Sequence, residues 1–579
     1  MPRFTEIRAG AVALVLIGTA AAEEIPPEPG TGTLARTPAV ASTDMVVAAN
    51  PLAAEAGARI LRAGGGAIDA AIATQMVLNL VEPQSSGIGG GAFLLYYDAV
   101  SGVVTSYDGR EVAPAAVAAD QFLDPDGAPR GYLDALVGGH AVGVPGLLKM
   151  LDRAHREHGL LPWPDLFAPA IDLAAAGFRI SPRLNRLIEK VPTLRRLDAT
   201  VGYFMTEDGA AKPVGTVLAN PRLAETFRLI AEHGVEVFYS GAIGHDLVAA
   251  VQTVPINPGR LTTADLAGYQ ARIRNPVCLD YRGFTVCGMG PPSSGGLTSL
   301  QMLGLLRRFD LGRLDPNSAT AVHLFAEAGR LAFADRDLFI ADPDYAPVPV
   351  AALLNRAYLA QRAALIDPKR SHGPVVAGRP PGITGGHWVP GTSPELPATS
   401  HLSIVDRNAN AVALTTSIEF AFGSALMVRG FLLNNQLTDF SFVPTRDGRA
   451  VANRVEPGKR PRSSMAPSLV FDPDGRLMLV IGSPGGSRII CYVAKVIVGV
   501  IDWGLDVQAA IDLPNRCNRN GDTDLERGTG LARIGDALEA MGHIVAERDM
   551  NSGLHGIMIT ETGLIGAADP RREGVAIGR

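Results

Sequence analysis

The chain has 579 residues, of which 47% are hydrophobic and 19% charged, a composition typical of a large folded protein rather than a disordered one. Its 52 Lys and Arg residues against 58 Asp and Glu residues leave a net charge of −6. That balance lacks the basic surplus of nucleic-acid-binding proteins and polybasic membrane anchors. We therefore expect no nucleic acid among its partners.

The first 22 residues have the layout of a secretory signal peptide. Arg3 and Arg8 precede an apolar stretch over 9–17, and three alanines ending at Ala22 follow. The stretch is too short for a membrane-spanning helix with normal flanks. We expect cleavage near Ala22 and export to the periplasm or out of the cell, with an uncleaved anchor as the alternative. No later segment is long and apolar enough to span a bilayer.

The first two-thirds of the chain is predicted to be rich in helices. Ala-rich segments over 50–83 predict two helices separated at 64–66 and stopped by a proline. A Gly-rich loop and a β-hairpin are predicted over 87–111. Residues 135–275 have mostly helical spacing of apolar residues, and 318–340 predicts another strong amphipathic helix.

The last third is predicted to be rich in strands. Gly and Pro crowd residues 371–398, which predicts an exposed linker. Strand patterns over 401–418 and 468–482 predict two hairpins, the second with an Asp-Gly turn and a Gly-rich exit. A helix is predicted over 489–504.

Four cysteines are too few to form a disulfide framework for a chain of this length. Cys278 and Cys287 flank two short strand patterns, and a turn at 282–283 would place them opposite each other, close enough for a cross-strand disulfide. A turn shifted by one residue would abolish that pairing. Cys491 and Cys517 are expected to be ordinary thiols of the core or a loop.

Two motifs do not support a cofactor or a metal. Gly87, Gly89 and Ala92 formally satisfy a dinucleotide fingerprint, but the segment precedes a strand and does not open a helix, so the reason for a pyrophosphate site is missing. His155 and His158 lie three residues apart without a third ligand at metal spacing. We expect neither a cofactor nor a metal.

Thr399 follows the linker and begins a predicted strand. If the peptide bond between Ala398 and Thr399 were cut, the threonine would carry a free α-amine beside its own hydroxyl. That amine has an ordinary pKa of about 8 and can take the proton of the hydroxyl, which makes the hydroxyl a nucleophile. Taken alone, the same pattern also fits a threonine that caps an ordinary strand.

From about residue 38 onward the chain resembles the gamma-glutamyltranspeptidase family of self-cleaving N-terminal-nucleophile (Ntn) hydrolases. The resemblance is carried, in order, by NPLAAEAGARILRAGGGAIDAAIA, VEPQSSGIGGGAF, YDGREVAP, GVPGLL, PPSSGGLTSLQML, TSHLSIVD, GFLLNNQLTDFS, GKRPRSSMAPSLV and GSPGGSRII. It implies an α+β fold, a four-layer αββα sandwich. It also implies a large subunit, 23–398, and a small subunit, 399–579, that together form one domain.

The resemblance also implies the catalytic residues. Thr399 matches the family nucleophile and new N-terminus. Ser417 matches a hydroxyl residue, usually Thr, that hydrogen-bonds the nucleophile and assists self-cleavage. Gly485 and Gly486 match the glycines whose backbone N–H groups form the oxyanion hole.

A second set of matches concerns the substrate. Arg110 matches the arginine that holds the α-carboxylate of the γ-glutamyl group, a task for which its planar fork is suited. Ser463 and Ser464 match two hydroxyls on the same carboxylate. Gln436 and Asp439 match residues that receive the α-ammonium group.

Two departures from the family pattern concern specificity. Glu419 stands where many members have an Asn that contacts the glutamyl amino group, and its charge is compatible with an ammonium. The stretch 439–463 is too short for the long lid loop of many members, so a more open cleft is expected. Both features resemble the branch that includes cephalosporin acylases, which act on glutaryl side chains.

The implied reaction is acyl transfer. Thr399 would attack a γ-amide carbonyl, and water or an acceptor amine would release the γ-glutamyl group. Glutathione and related γ-glutamyl amides are the expected substrates. The alternatives are a glutaryl or cephalosporin acylase that uses the same threonine, and an uncut, inactive γ-glutamyl-binding protein.

Overall fold

The computed structural model describes residues 30, 32–383, 388–391, 393 and 398–579. The predicted signal peptide and part of the predicted linker lie outside the described residues. In the described part of the chain, no helix is long and apolar enough to cross a membrane.

The helices, in chain order, are α1 Pro51–Arg62, α2 Ala67–Val81, α3 Tyr132–Leu136, α4 Leu147–His158, α5 Ala168–Ala176, α6 Pro182–Lys190, α7 Asp198–Phe204, α8 Pro221–His233, α9 Glu236–Tyr239, α10 Ala242–Thr253, α11 Thr263–Ala267, α12 Gly295–Leu306, α13 Ala319–Phe339, α14 Val350–Leu353, α15 Arg356–Ala363, α16 Ile489–Ile501, α17 Val507–Asp512 and α18 Gly535–Ala540.

The strands are β1 Ala39–Ala41, β2 Met45–Ala48, β3 Gly91–Asp98, β4 Val103–Gly109, β5 Phe178–Arg179, β6 Val217–Leu218, β7 Arg272–Arg274, β8 Val277–Tyr281, β9 Phe284–Gly288, β10 Trp388–Val389, β11 Ser400–Val405, β12 Ala411–Ser417, β13 Met427–Val428, β14 Phe431–Leu432, β15 Thr445–Arg446, β16 Arg449–Val451, β17 Ser468–Phe471, β18 Leu477–Gly482, β19 Arg516–Asn518, β20 Thr523–Glu526, β21 Val545–Arg548, β22 His555–Thr560, β23 Gly563–Ala568 and β24 Val575–Gly578.

Two seven-stranded sheets form the centre of the molecule. One has the order β1-β23-β22-β18-β17-β9-β8 and the other β24-β2-β11-β12-β3-β4-β7. One hydrophobic core lies between the second sheet and helices that include α1, α2 and α4, another lies between the first sheet and α12, α13 and α16, and a third fills the space between the sheets. These three cores produce the four layers of an αββα sandwich.

Strand β11 is buried on both faces, with its side chains divided between two cores. Leu402 and Ile404 join the core on the helix side, and Val405 joins the core between the sheets. Ser403 also points between the sheets, where its hydroxyl donates to the carbonyl of His555 at 3.0 Å. The alternation of a strand therefore ties the layers together at the segment that follows Thr399.

The hairpins predicted over 87–111, 401–418 and 468–482 are confirmed as β3–β4, β11–β12 and β17–β18, and the predicted Ala-rich helices are α1 and α2. The expectation of an amphipathic helix over 318–340 is wrong in one respect. Helix α13 is buried on all sides from Ala321 to Arg336 because it packs against α12 on one side and β19 on another. Its polar side chains lie inside the protein.

The linker expectation is also corrected in part. Val389 and Ala398 are buried, and β10 pairs in parallel with β16 of the short hairpin β15–β16. That hairpin lies within 439–463, the stretch that is too short for a lid loop. The described part of the linker is therefore docked on the protein rather than fully exposed.

Both pairs of cysteines form disulfides. Cys278 lies opposite Cys287 on β8 and β9, with Cα atoms 4.1 Å apart. Cys491 on α16 is bonded to Cys517 on β19, so the expectation of two ordinary thiols is wrong. Residues 26 apart in sequence meet there through packing of a helix on a strand, which no local pattern reveals.

Acid should destabilise the protein through its buried histidines. Burial lowers the pKa of His555 from 6.5 to about 3 and that of His401 well below 6.5. Below pH 6.5 the unfolded chain binds protons that the folded chain does not, so stability is lost as the pH falls from 6.5 towards 3. At pH 5, His555 alone should cost about 2 kcal/mol.

Chemical unfolding at pH 7 and pH 5 measures this loss. His555→Asn should lower the free energy of unfolding at pH 7 but reduce its difference between the two pH values. An unchanged difference would assign the acid sensitivity to other groups.

Candidate active site

Thr399 lies at the start of β11, next to the end of β12. Ser400 pairs with Thr416, so the next position in the antiparallel register places Thr399 beside Ser417. The Thr399 hydroxyl donates to Ser417 Oγ at 3.3 Å. Thr399 is only 4% exposed, so its hydroxyl is held in a largely buried environment.

The Ala398 carbonyl, which precedes Thr399, lies within hydrogen-bond distance of two hydroxyl oxygens. Ser417 Oγ donates to this oxygen at 2.8 Å, and Thr399 Oγ1 lies 2.6 Å from it. The backbone N–H of Glu419 donates to Ser417 Oγ at 2.9 Å, which orients the serine hydroxyl towards the carbonyl. A nucleophilic oxygen and a hydrogen-bond donor therefore meet at one peptide bond.

Gly485 and Gly486 form a tight turn between β18 and α16. Their φ angles are +136° and +59°, and a Cβ at Gly485 would approach the Tyr492 ring to 2.6 Å, so only glycine fits there. The turn leads into a helix N-terminus, where backbone N–H groups favour negative charge. This is the local structure that an oxyanion hole requires.

A cavity joins Thr399 to the predicted substrate residues. Its lining residues are Arg110, Thr399, Ser417, Glu419, Asp439, Ser463, Ser464, Met465, Gly486 and Ile489. Two other predicted site residues lie beside the cavity. Gln436 donates to the side chains of Glu419 and Asp439, and Gly485 directly precedes the lining residue Gly486.

Arg110 follows β4 and is 1% exposed. Its Nε donates to the Pro461 carbonyl at 3.1 Å, and its Nη2 donates to the Arg462 carbonyl at 3.0 Å and forms an ion pair with Asp439. Burial opposes the charge, but nearby carboxylates, Asp439 first, outweigh it and raise the pKa of Arg110 above its usual value. The guanidinium is therefore a fixed positive charge at one end of the cavity.

Next to Arg110, the amide of Gln436 joins the carboxylates of Glu419 and Asp439. Gln436 Nε2 donates to Glu419 Oε2 at 2.7 Å and to Asp439 Oδ2 at 2.8 Å. Glu419 has a φ of +79°, a left-handed conformation that a non-glycine residue rarely adopts. Such strain at a cavity wall points to a functional constraint on this side chain.

Ser463 and Ser464 form a turn held from behind. The backbone N–H and the hydroxyl of Ser294 both donate to the Ser463 carbonyl at 2.7 Å. Arg336 Nη2 donates to Ser464 Oγ at 2.7 Å. The two serines thus face the cavity from a rigid support.

Three side chains at this site were not predicted from the sequence. Glu111 lies beside Arg110, with its Oε2 3.6 Å from Arg110 Nη1, and burial raises its pKa to about 8. This shift favours the neutral, protonated form of Glu111. Arg572 Nη1 donates to the Thr399 carbonyl at 3.3 Å, and Arg336 holds Ser464. Glu111 follows Arg110 directly in sequence, but nothing local marks the other two.

Among the described residues, one group has potential metal ligands close together, namely His323, Glu327 and His543. His323 Nδ1 and His543 Nε2 are 2.7 Å apart and share a hydrogen bond, and Glu327 is paired with Arg330. These contacts satisfy the groups from within the protein. The acyl-transfer chemistry of the Thr399 cavity needs no metal or cofactor.

A nucleophile at the start of a central strand of a two-sheet αββα sandwich defines an Ntn hydrolase. The family model described as Gamma-glutamyltranspeptidase matches residues 53–579. The chain belongs to the gamma-glutamyltranspeptidase family, which confirms the resemblance predicted from the motifs. It is an enzyme of γ-glutamyl hydrolysis or transfer.

Relatives and solved structures agree with this assignment. The chain is 37% identical over 550 residues to the glutathione hydrolase proenzyme of Bacillus subtilis, covering 93% of this chain and 92% of the relative. It is 35% identical to the Acylase ACY 1 proenzyme of a Pseudomonas species, covering 94% and 95%. The crystal structure of cephalosporin acylase from Bacillus halodurans matches with a TM-score of 0.81 and 28% identity, covering 97% and 99%.

Proposed function

We propose that the protein is an exported enzyme that cuts itself between Ala398 and Thr399 and then cleaves the γ-glutamyl amide bond of glutathione and related compounds. The observation that carries the proposal is the single cavity in which the Thr399 hydroxyl faces a buried arginine and two acids. A hydroxyl nucleophile and, in the same cavity, charged groups suited to an amino-acid headgroup support a γ-glutamyl substrate.

Self-cleavage follows from the contacts of the Ala398 carbonyl. Thr399 Oγ1 attacks the carbonyl carbon, and Ser417 stabilises the oxygen on which negative charge develops, because its hydroxyl already donates to that oxygen at 2.8 Å. The C–N bond breaks, the acyl group moves to the threonine oxygen, and the nitrogen takes a proton to become an amine. Water then hydrolyses the ester, which leaves a large subunit, 23–398, and a small subunit that begins with Thr399.

Ser417→Ala should slow this self-cleavage by about 10- to 100-fold, because one donor to the developing oxyanion is lost. The conversion of precursor into two polypeptides, followed by gel electrophoresis after synthesis, measures the rate. Thr416→Val, on the adjacent position of the same strand, is the matched control and should cut at the normal rate. Normal cutting in Ser417→Ala would remove Ser417 from the process.

In the mature enzyme the α-amine of Thr399 takes the proton of its own hydroxyl, because its pKa of about 8 permits the neutral form near neutral pH. The oxygen attacks the γ-carbonyl, and the backbone N–H groups of Gly485 and Gly486 stabilise the oxyanion. The amine leaving group takes the proton. Water or an acceptor amine then attacks the γ-glutamyl ester and regenerates the enzyme.

The charges of the cavity favour a headgroup that carries an ammonium. Among the residues that line the cavity, Arg110 contributes one positive charge, and Asp439 and Glu419 contribute two negative charges. A γ-glutamyl headgroup adds a carboxylate and an ammonium and leaves this balance unchanged. A glutaryl group lacks the ammonium and adds an uncompensated negative charge beside the buried acids, which is costly.

The test compares hydrolysis of a γ-glutamyl anilide with that of the matching glutaryl anilide, on protein already checked for cleavage at Thr399. We expect kcat/KM to favour the γ-glutamyl substrate by at least about 100-fold, since a site built for a polar group rejects the analogue that lacks it. Glu419→Gln should reduce the ratio of kcat/KM for the γ-glutamyl anilide to kcat/KM for the glutaryl anilide. Equal rates, or a preference for glutaryl, would overturn the substrate assignment.

A glutaryl or cephalosporin acylase is the second candidate. The similarity to Acylase ACY 1 and the short stretch 439–463, which leaves room for bulky leaving groups, favour it. A higher kcat/KM for the glutaryl anilide than for the γ-glutamyl anilide would establish this acylase activity. An uncut, inactive γ-glutamyl-binding protein would instead stay as one chain and hydrolyse neither anilide.

Export is tested on the full-length chain in a bacterial host. We expect the mature protein in the periplasm or the medium, with an N-terminus near residue 23. Recovery from the membrane with residues 1–22 still attached would support an uncleaved anchor instead.

A further inference from the structure

Two histidines and a carboxylate form a buried cluster outside the Thr399 cavity. His323 and Glu327 lie four residues apart on α13, so their side chains share one face of the helix. His543 lies between α18 and β21. One ligand atom from each of the three lies within 4.8 Å of the other two. The cluster therefore joins a helix of the proposed large subunit to a loop of the proposed small subunit.

The hydrogen bonds of the two imidazole rings direct one nitrogen of each ring at the other ring. His323 Nε2 lies 2.7 Å from the carbonyl oxygen of Asp367, which can only accept, so Nε2 carries the hydrogen and Nδ1 keeps a lone pair. His543 Nδ1 lies 2.8 Å from Thr523 Oγ1. The remaining nitrogens, His323 Nδ1 and His543 Nε2, are 2.7 Å apart. Metal-binding histidines are held in the same way, with the far nitrogen on a protein oxygen.

Glu327 is oriented by hydrogen bonds to one of its two oxygens. Its Oε1 accepts from Arg330 Nε at 3.0 Å and from Ser371 Oγ at 2.7 Å. Its Oε2 accepts one long contact, 3.5 Å from the His372 N–H. Carboxylates that bind metals are themselves hydrogen-bonded in this manner. Arg330 also offsets the charge of Glu327, so the cluster offers mainly nitrogen ligands and little negative charge.

We propose that His323, Glu327 and His543 form a zinc site that clamps the two subunits together. Two imidazoles and one carboxylate, with water in the fourth position, are a ligand set that Zn²⁺ accepts. A single paired carboxylate is too little oxygen and charge for Ca²⁺ or Mg²⁺. Ligands so far apart in sequence form no motif, so the site exists only in the folded chain.

The metal takes the place of one hydrogen bond. In the structure a hydrogen lies between the two rings, and it is carried by His543 because His323 Nδ1 is the acceptor. When His543 carries its hydrogen on Nδ1 and donates it to Thr523, both facing lone pairs are available and no proton is released. Tetrahedral Zn–N bonds place two nitrogens about 3.3 Å apart, so the rings must separate by about 0.6 Å.

The first test measures zinc binding by the uncut Thr399→Ala chain, made without a histidine tag, stripped with a chelator and dialysed against Zn²⁺. Elemental analysis should find one zinc ion per chain. Glu327→Gln and His543→Ala each remove a ligand and should weaken binding by more than about 100-fold. Thr523→Val removes only the oxygen that orients His543 and should weaken binding by about 10-fold. His245→Ala, an exposed histidine on α10, is the matched control and should bind zinc normally.

Co²⁺ provides a measurement that does not depend on a ligand variant that fails to fold. Cobalt bound to the Thr399→Ala chain should show the visible absorption bands of a four-coordinate site, and one equivalent of Zn²⁺ should abolish them. Zinc bound equally by the His543→Ala variant, or cobalt with only the weak spectrum of a six-coordinate ion, would overturn the site.

The second test uses the cleaved enzyme, because the clamp rests on the proposed cleavage at Thr399. Zinc should raise the urea concentration at which the large and small subunits separate on size-exclusion chromatography, and it should have no such effect in Glu327→Gln. Zinc bound at the site without any effect on separation would overturn the clamp. Failure of the proposed self-cleavage would appear as a single polypeptide on a gel and would leave the first test unaffected.

Discussion

Replacing Thr399 with alanine should leave one folded, uncut and inactive chain. Among the described residues, the hydroxyls of Thr399 and Ser417 contact the Ala398 carbonyl. Ser417 donates to the carbonyl oxygen, which leaves the Thr399 hydroxyl as the nucleophile. Alanine removes the attacking atom of both self-cleavage and catalysis. We expect hydrolysis of a γ-glutamyl anilide to fall by at least about 1,000-fold, as is usual when a catalytic nucleophile is lost.

Thr399→Ser is the matched control, because it keeps the attacking oxygen and loses only a methyl group. It should still be cut into two polypeptides and retain measurable activity. Gel electrophoresis measures the cleavage, and hydrolysis of the γ-glutamyl anilide measures the activity. Efficient cutting in Thr399→Ala would remove Thr399 from its proposed role.

Replacing Arg110 with glutamine should raise KM for a γ-glutamyl anilide by about 100-fold. Arg110 is the buried cation of the cavity, and loss of one partner of a buried, hydrogen-bonded charge pair costs about 3 kcal/mol or more. Its removal also leaves Asp439 without the guanidinium, which strengthens repulsion of a carboxylate. The 4-aminobutyryl anilide, which has no carboxylate, should lose far less.

Arg460→Gln is the matched control for this prediction. Arg460 is also buried and is paired with Asp108, but it does not line the cavity. Arg460→Gln should lower the free energy of unfolding but change KM for the γ-glutamyl anilide little. Equal losses for the two anilides in Arg110→Gln would mean that the arginine does not bind the carboxylate.

Local sequence patterns predicted much of the fold and site. Turn residues and strand alternation identified the hairpins β3–β4 and β11–β12, and helix spacing with a Gly break identified α1 and α2. The motif resemblance selected the residues that the structure brings to one cavity, although they come from segments as far apart as Arg110 and Gly486. Without that resemblance, the local pattern at Thr399 would equally have fitted a threonine that caps an ordinary strand.

The rest depended on long-range packing. Helix α13 has polar residues at regular intervals, but their partners lie in distant segments, such as His543 for His323 and Ser464 for Arg336, so the helix is buried on all sides. The same packing brings Arg336 to Ser464, a contact that no local pattern reveals. The Cys491–Cys517 disulfide and the docking of β10 on β16 likewise depend on segments that meet only in the folded chain.

The central claim is that Thr399 becomes an N-terminus and carries the γ-glutamyl group during turnover. Mass spectrometry of the small subunit tests it, after the enzyme is mixed with a γ-glutamyl anilide and quenched in acid within the first turnovers. We predict a polypeptide that begins at Thr399 and whose N-terminal peptide gains one γ-glutamyl group. A small subunit that begins elsewhere, or an acyl group on another residue, would contradict the account.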